Sequence, residues 1–454
     1  MQIDKTKELE TKGIGTLLLA YAIPSVVSQI ISSIYNICDR IFIGHGVGAL
    51  AIAGLAITMP VMNIIHAFGA LIGVGAGARM SIVLGKKDVN WAENILGNSF
   101  IFTIILGSIV MCFSYLFLDK ILILFGATAD TVSYAHEYMV IVLPGMLLTT
   151  MAFNLTSLIR ATGYPFKSMI ILGSGAVLNI GLDALFIFVF RWGIAGAAWA
   201  TTISMAVATV LSMIHFLRRD SFIRFRRHGF KLKGYIFKNI FMIGMSPFLM
   251  NVAAAGVVAI LNSQLIKYGG DMAVGSYGIT NSYMNFMVLL ILGVCMGMQP
   301  IAGYNYGAGH PDRLRRVFVL TMEVCVVIGV VASVLGCAFP RYISMAFTTD
   351  GTLLDISQMA LPLLSVMSPL IAFTIVNSNF FQSIDKPWIA IVTSLSRQVI
   401  FLVPMMFLVP LFFRDLGYDS LMGVFAACTV SDVFGALLAF VLLLTQRKVF
   451  KQQM

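Results

Sequence analysis

Twelve times along this 454-residue chain the sequence runs apolar for longer than the roughly 20 residues that an α-helix needs to cross about 30 Å of hydrocarbon. The runs fall at 14–38, 49–76, 94–117, 132–158, 166–190 and 194–217, then at 240–266, 273–303, 316–339, 356–381, 388–412 and 420–445. With 59% hydrophobic and only 11% charged residues, the chain is not a soluble globular protein of average composition. The expected fold class is all-α integral membrane, with twelve transmembrane helices.

The twelve helices divide into two sets of six because the chain is duplicated. Gly48-Ala-Leu-Ala-Ile-Ala-Gly-Leu-Ala-Ile-Thr58 lies over Gly270-Asp-Met-Ala-Val-Gly-Ser-Tyr-Gly-Ile-Thr280 without a gap, at an offset of 222. Near that offset Pro24 falls on Pro247, Gly73 on Gly297, Pro165 on Pro387 and Gly196 on Gly423. The agreement spans the chain, so it is an architecture of two pseudo-symmetric six-helix lobes. The expected domains are an N-lobe over 1–217, a basic linker over 218–239 and a C-lobe over 240–454. Repeated halves of this kind are the ground plan of secondary transporters.

An even number of spans puts both ends on one side. Of the 30 Lys and Arg, 22 fall in the tails and even-numbered loops and five in the odd-numbered loops. The positive-inside rule then makes both termini cytoplasmic, in a multi-pass protein of the cell inner (plasma) membrane. The net charge of +10 is thus a topology signal, and no nucleic-acid partner is expected. The basic stretch Arg218 to Lys238 is expected to rest on anionic headgroups, which makes membrane lipids a partner. The six cysteines fall inside spans without paired or ligand spacing and are expected to be packing residues. A cytoplasmic lead-in, and no cleavable signal, is expected over the first 13 residues.

Charges inside the spans are few, and each is costly enough to suggest a function. Asp39 in the first span has an uncharged counterpart, Asn262, in the second half. Asn179 and Asp183 leave one face of the fifth span, one turn apart. At about 1.5 Å per residue these two lie roughly 20 and 25 Å along their span, and Thr202 of the sixth span lies at a similar depth, as does Asp39. Carboxylate, amide and hydroxyl oxygens suit a hard monovalent cation or a proton. Asp39, Asn179, Asp183 and Thr202 are therefore the candidate cation-coupling site, with Na⁺ possible there. Competing structural roles are, for Asp39, a pair with Arg40 or a cap of the helix end near Gly44 and, for Asn179 and Thr202, interhelical hydrogen bonding. Pro24, midway along the first span, weakens its hydrogen-bond ladder and is a candidate hinge, with a static kink as the alternative. Asn154, Arg397 and Asp432 are candidate polar groups of a cavity, the last two alternatively a structural pair.

On these residues the chain resembles the multidrug and toxic compound extrusion (MATE) family, in its MepA-like prokaryotic branch. The resemblance rests on Pro24 with Asp39-Arg-Ile-Phe-Ile-Gly44, Gly85-Lys-Lys-Asp88, Arg160-Ala-Thr-Gly-Tyr-Pro165, Asn179-Ile-Gly-Leu-Asp183, Gly196-Ala-Ala-Trp-Ala-Thr-Thr202 and Gln299-Pro-Ile-Ala-Gly-Tyr-Asn-Tyr-Gly-Ala308. It implies a V-shaped pair of lobes that exports lipophilic, mostly cationic compounds against inward flow of Na⁺ or H⁺. It also implies a first-lobe cation site at Asp39, Asn179, Asp183 and Thr202. Residues 242–266 and 356–381 carry no acid, unlike the NorM-like branch, so a second-lobe cation site is not expected.

The leading expectation is an alternating-access antiporter for amphipathic organic cations, monomeric, with no cofactor beyond the coupling ion. The alternative is a flippase for a lipid-linked precursor. An enzyme is not expected, because no nucleophile–base set, metal-ligand cluster or phosphate cradle lies in the spans. A channel would repeat its polar ring in both halves.

Overall fold

The computed structural model describes residues 5–450, so the outermost ends of the two expected lobes, 1–4 and 451–454, lie outside the described residues. The described chain is helical, without a strand. In order the helices are α1 (Lys7–Thr11), α2 (Ile14–Gly46), α3 (Ala49–Gly85), α4 (Val89–Leu116), α5 (Leu118–Leu124), α6 (Val132–Ala161), α7 (Pro165–Asp183) and α8 (Gly193–Leu217). Then follow α9 (Gly234–Gly307), α10 (Pro311–Ala338), α11 (Pro340–Met345), α12 (Gly351–Ser365), α13 (Ser368–Ser383), α14 (Pro387–Leu395), α15 (Leu402–Asp415) and α16 (Ser420–Thr445). One π-helical turn, Ala184–Val189, prolongs α7, and another, Ser396–Phe401, joins α14 to α15.

Helix α9 has 74 residues, which at about 1.5 Å each would make a rod far longer than any bilayer is thick. It is two spans. The break is Gly270, whose φ of 66° and ψ of −165° belong to a region that only glycine enters without strain. Helices α12 and α13 make one span bent by 49° at residues 366–367, between Pro362 and Pro369, whose rings interrupt the ladder. With the remaining nine apolar helices the spans number twelve among the described residues, as the apolar runs require.

Packing divides the chain into two units. One takes the chain up to Phe248 together with Gly303–Gly309; the other takes Leu249–Ala302 and the chain from His310 onward. The first unit has a core of Leu55, Tyr138, Met139, Leu143, Ile187 and Ala197, contributed by α3, α6, the π-turn and α8. In the second, Leu261, Leu265, Leu364, Met406, Val424 and Phe425 form the corresponding core.

Within the first unit α3 crosses the last turns of α9 backbone to backbone. A Cβ on Gly85 would lie 2.1 Å from the Tyr304 carbonyl oxygen, and one on Gly307 2.0 Å from that of Ile82. Gly85 and Gly307 are 222 positions apart, as are Ile82 and Tyr304, so the two contacts are mates under the internal repeat. Glu10 of α1 joins the same place, with its carboxylate 3.2 Å from Lys87 Nζ and accepting from the Tyr304 hydroxyl at 3.3 Å.

The linker is tied to α4. Asn98 Nδ2 donates to the carbonyls of Gly229 and Lys231 at 2.9 and 3.0 Å, and its Oδ1 accepts from the Lys233 N–H at 2.8 Å. Buried Glu93 takes Arg226 at 3.1 Å and His228 at 3.2 Å. Phe100, Phe225 and Phe230 pack edge and face between these bonds, and Lys233 stands over the Trp91 ring. A segment with this many unsatisfied backbone groups finds partners in protein when a polar stripe is offered, and Glu93, Asn94 and Asn98 are such a stripe.

Candidate ion site and family

Asp39, Asn179 and Asp183 are brought together inside the first unit, all buried. Helix α2 carries Asp39 fifteen residues beyond Pro24, and α7 carries the other two in its last turn. Asp183 is the final α-helical residue before the π-turn. A π-turn widens the helix locally and is often found beside functional groups. Asp39 lies within electrostatic reach of Asp183. Neither carboxylate is satisfied: Asp39 Oδ1 and Asp183 Oδ1 are buried and have no hydrogen-bond partner. That is an unstable arrangement for two anions in low dielectric, unless a cation or a proton joins them.

Asn179 bridges the pair to α8. The amide orientation that satisfies both of its ends donates to Asp183 Oδ2 at 3.2 Å and accepts from the Thr201 hydroxyl and N–H, each at 3.3 Å. Of the expected residues, Thr202 is not the one bonded to Asn179: it donates to the Ile141 carbonyl of α6 at 3.2 Å and lies against Gly145, where any Cβ would come within 2.5 Å of its hydroxyl. Successive helical residues point about 100° apart, so only one of the two threonines can face α7. It is Thr201.

Two tyrosines missed in the sequence stand at the same place. Tyr35 precedes Asp39 by one turn on α2, and Tyr138 comes from α6 beside Thr201; both lie within electrostatic reach of Asp39 and Asp183. A phenol can donate to a carboxylate or accept near a cation. The spacing of Tyr35 to Asp39 was a usable signal, whereas Tyr138 reads as one more aromatic core residue.

Arg40 does not cap Asp39 by an ion pair; its Nη2 is 3.0 Å from Met59 Sδ. Helix α2 runs unbroken through Pro24, where Ser28 Oγ donates to the Pro24 carbonyl and Ser25 Oγ to that of Tyr21, each at 2.8 Å. Asn154 does not line a cavity. It is fully enclosed, and its Nδ2 donates to Thr103 Oγ1 of α4 at 3.1 Å. Arg397 and Asp432 form an ion pair inside the second unit, Nη1 to Oδ1 at 3.2 Å.

The remaining donor set is oxygen throughout: two carboxylates, one amide and one or more hydroxyls. Hard cations take such ligands, Na⁺ among them, and Asp39, Asn179 and Asp183 would hold it with Thr201 behind. No group of three or more His, Cys, Asp or Glu side chains able to hold a metal ion occurs among the described residues, which leaves two carboxylates to neutralise whatever binds.

The family model MatE matches residues 24–185 and again 247–408, two copies separated by 223 positions, as the internal repeat requires. The multidrug export protein MepA of Staphylococcus aureus is 30% identical over 366 residues, covering 81% of this chain and 80% of that protein. That of Staphylococcus saprophyticus is 26% identical over 425 residues, covering 94% and 92%. Among solved structures, an outward-facing multidrug resistance MATE family transporter is 22% identical and covers 100% of both chains with a TM-score of 0.91. Its likeness establishes the all-α membrane fold at every span. By the two matched segments and by these relatives, the chain belongs to the MatE family, the one its sequence resembles.

Proposed function

We propose that this protein exports lipophilic, mostly cationic organic compounds in exchange for inward-moving Na⁺ or H⁺, by alternating access, as a monomer with both termini in the cytoplasm. The observation that carries the reading is the pair of buried, incompletely bonded carboxylates, Asp39 and Asp183. No other partner of theirs is as changeable as an ion from the medium. The relatives named as multidrug export proteins support the substrate class.

When the site is empty the two anions repel, and α2 is pushed from α7. A proton or Na⁺ between them cancels that repulsion and draws the helices together. Pro24 lies about 22 Å down α2 from Asp39, where the ladder lacks a donor and two serine hydroxyls bond back to the preceding turn. Such back-bonding favours bending, so a change of charge at one end can become a change of helix direction at the other. By that coupling, ion release on the cytoplasmic side and drug release outside belong to different shapes of the first unit.

A flippase of lipid-linked precursors would need free cations facing the cavity to hold a pyrophosphate. Arg397, the candidate for that task, is already held by Asp432, which weighs against this alternative. Purified protein in liposomes tests the proposal: a Na⁺ gradient and a pH gradient, imposed one at a time, are each followed by efflux of a fluorescent lipophilic cation. One of them drives uphill efflux if the proposal holds. Equal, purely downhill leakage under both removes antiport.

A further inference from the structure

We propose that Arg397 is a built-in cation: on the second half's counterparts of α7 and α8 it does permanently for Asp432 what the exchangeable ion does for Asp39 and Asp183, so that only one half of the chain responds to the coupling ion. This rests on the ion-site reading above and adds to it where the second charge is and why it does not exchange.

Two glycines have changed places between the halves. Helix α14 starts at Pro387 as α7 starts at Pro165, and α16 holds Gly423 where α8 holds Gly196. Arg397 stands ten residues past Pro387; ten past Pro165 is Gly175. Gly435 stands twelve past Gly423; twelve past Gly196 is Ala208. In the first half a Cβ on Gly175 would touch the Ala208 Cβ at 3.5 Å. In the second half a Cβ on Gly435 would come within 3.0 Å of Arg397 Cβ and 3.2 Å of its Cα. The same helix crossing is therefore used twice, with the small residue on opposite sides. Moving it to Gly435 opens room for a guanidinium inside the bundle, at the π-turn Ser396–Phe401.

The charges differ between the halves as well. The positions matching Asp39, Asn179, Asp183 and Thr201 are Asn262, Phe401, Met405 and Cys428, none of them a carboxylate. Arg397 lies four residues before Phe401 and Asp432 four after Cys428, so the pair sits one turn from the matching level on both helices. The titratable groups facing the pair are Cys428, near both Asp432 and Arg397, and Tyr277 of α9, near Cys428 and Arg397. A guanidinium keeps its charge and cannot diffuse away. Its removal would leave a buried carboxylate in need of a proton or an ion, the situation of Asp39 and Asp183.

The test uses the full chain carrying Asp39→Asn and Asp183→Asn, so that the first-half site is silent. Melting temperature is followed in detergent, in Na⁺ or in choline medium, at neutral and at acid pH. Adding Arg397→Gln should lower melting at neutral pH without Na⁺, with acid or Na⁺ recovering most of the loss. Adding Asp432→Asn as well should abolish that recovery, and Arg397→Lys should keep the response of the background. If Arg397→Gln does not fold, the neutral pair Arg397→Gln with Asp432→Asn should fold and show no ion response; failure of that pair to restore folding overturns the proposal. It is also overturned if Arg397→Gln melts alike in all four media, or if its ion response survives Asp432→Asn. The outcome is read as a difference from the background, so it is distinct from loss of the first-half site, which is read between the background and the unmutated chain.

Discussion

Glu93 and Asp183 are both buried carboxylates of the first unit, and they could hardly be treated more differently. Glu93 is satisfied by Arg226 at 3.1 Å and His228 at 3.2 Å, and it fastens the linker to α4. Asp183 has one amide on Oδ2 and nothing on Oδ1. A buried charge with fixed partners holds a structure; one with an open valence waits for an occupant. Burial alone would have ranked the two together, and the accounting of hydrogen bonds separates them.

The largest effect expected from this contrast is at Asp183. Asp183→Asn and Asp39→Asn, each nearly isosteric and neutral, should reduce gradient-driven efflux to background in liposomes. Neither should lower the melting temperature, since each removes one of two like charges. Rates near those of the unmutated protein would place the coupling elsewhere. Loss of folding in both would make these carboxylates structural after all, in the same class as Glu93.

Next comes Glu93→Gln, which should do the reverse. The amide keeps one hydrogen bond and loses the carboxylate's bonds to Arg226 and His228, both of them half-exposed, so the loss of stability should be about 2 kcal/mol, read as a lower denaturation midpoint. Efflux per folded molecule should be unchanged. An efflux defect at full stability would mean that the linker clamp takes part in the cycle, and the contrast would fail from its other side.

How far the sequence revealed these two carboxylates follows from the same physics. The spans and their pairing into halves were plain, because apolar length and a 222-residue offset survive any detail of packing. Asp39, Asn179 and Asp183 were legible since charge in an apolar run is rare and their spacing fixes a common face. Glu93 lies one residue ahead of the apolar run 94–117, where nothing in the sequence marks it; its burial depends on a linker folding back, which depends in turn on Asn98 meeting three backbone groups more than 130 positions away. Asn154 looked like a cavity residue for want of knowledge of Thr103, its partner on the neighbouring helix.

The smallest expected effect is the most discriminating, because it separates neighbours. Depth along α8 cannot tell Thr201 from Thr202; only the rotation of the helix can, and that is set by contacts such as Thr202 against Gly145. Thr201→Val removes the hydroxyl that orients the Asn179 amide while keeping the shape of the side chain. Losing one such bond behind a charged site is worth about 1.4 kcal/mol, or about tenfold in ion affinity, so the ion concentration for half-maximal efflux should rise by about that factor with the maximal rate kept. Thr202→Val loses a bond to the Ile141 carbonyl instead; it should cost a little stability and leave the ion dependence where it was. Were Thr202→Val the variant that shifts ion dependence, α8 would have to turn by about one residue during the cycle, and the arrangement described for Asn179 would belong to only one of its states.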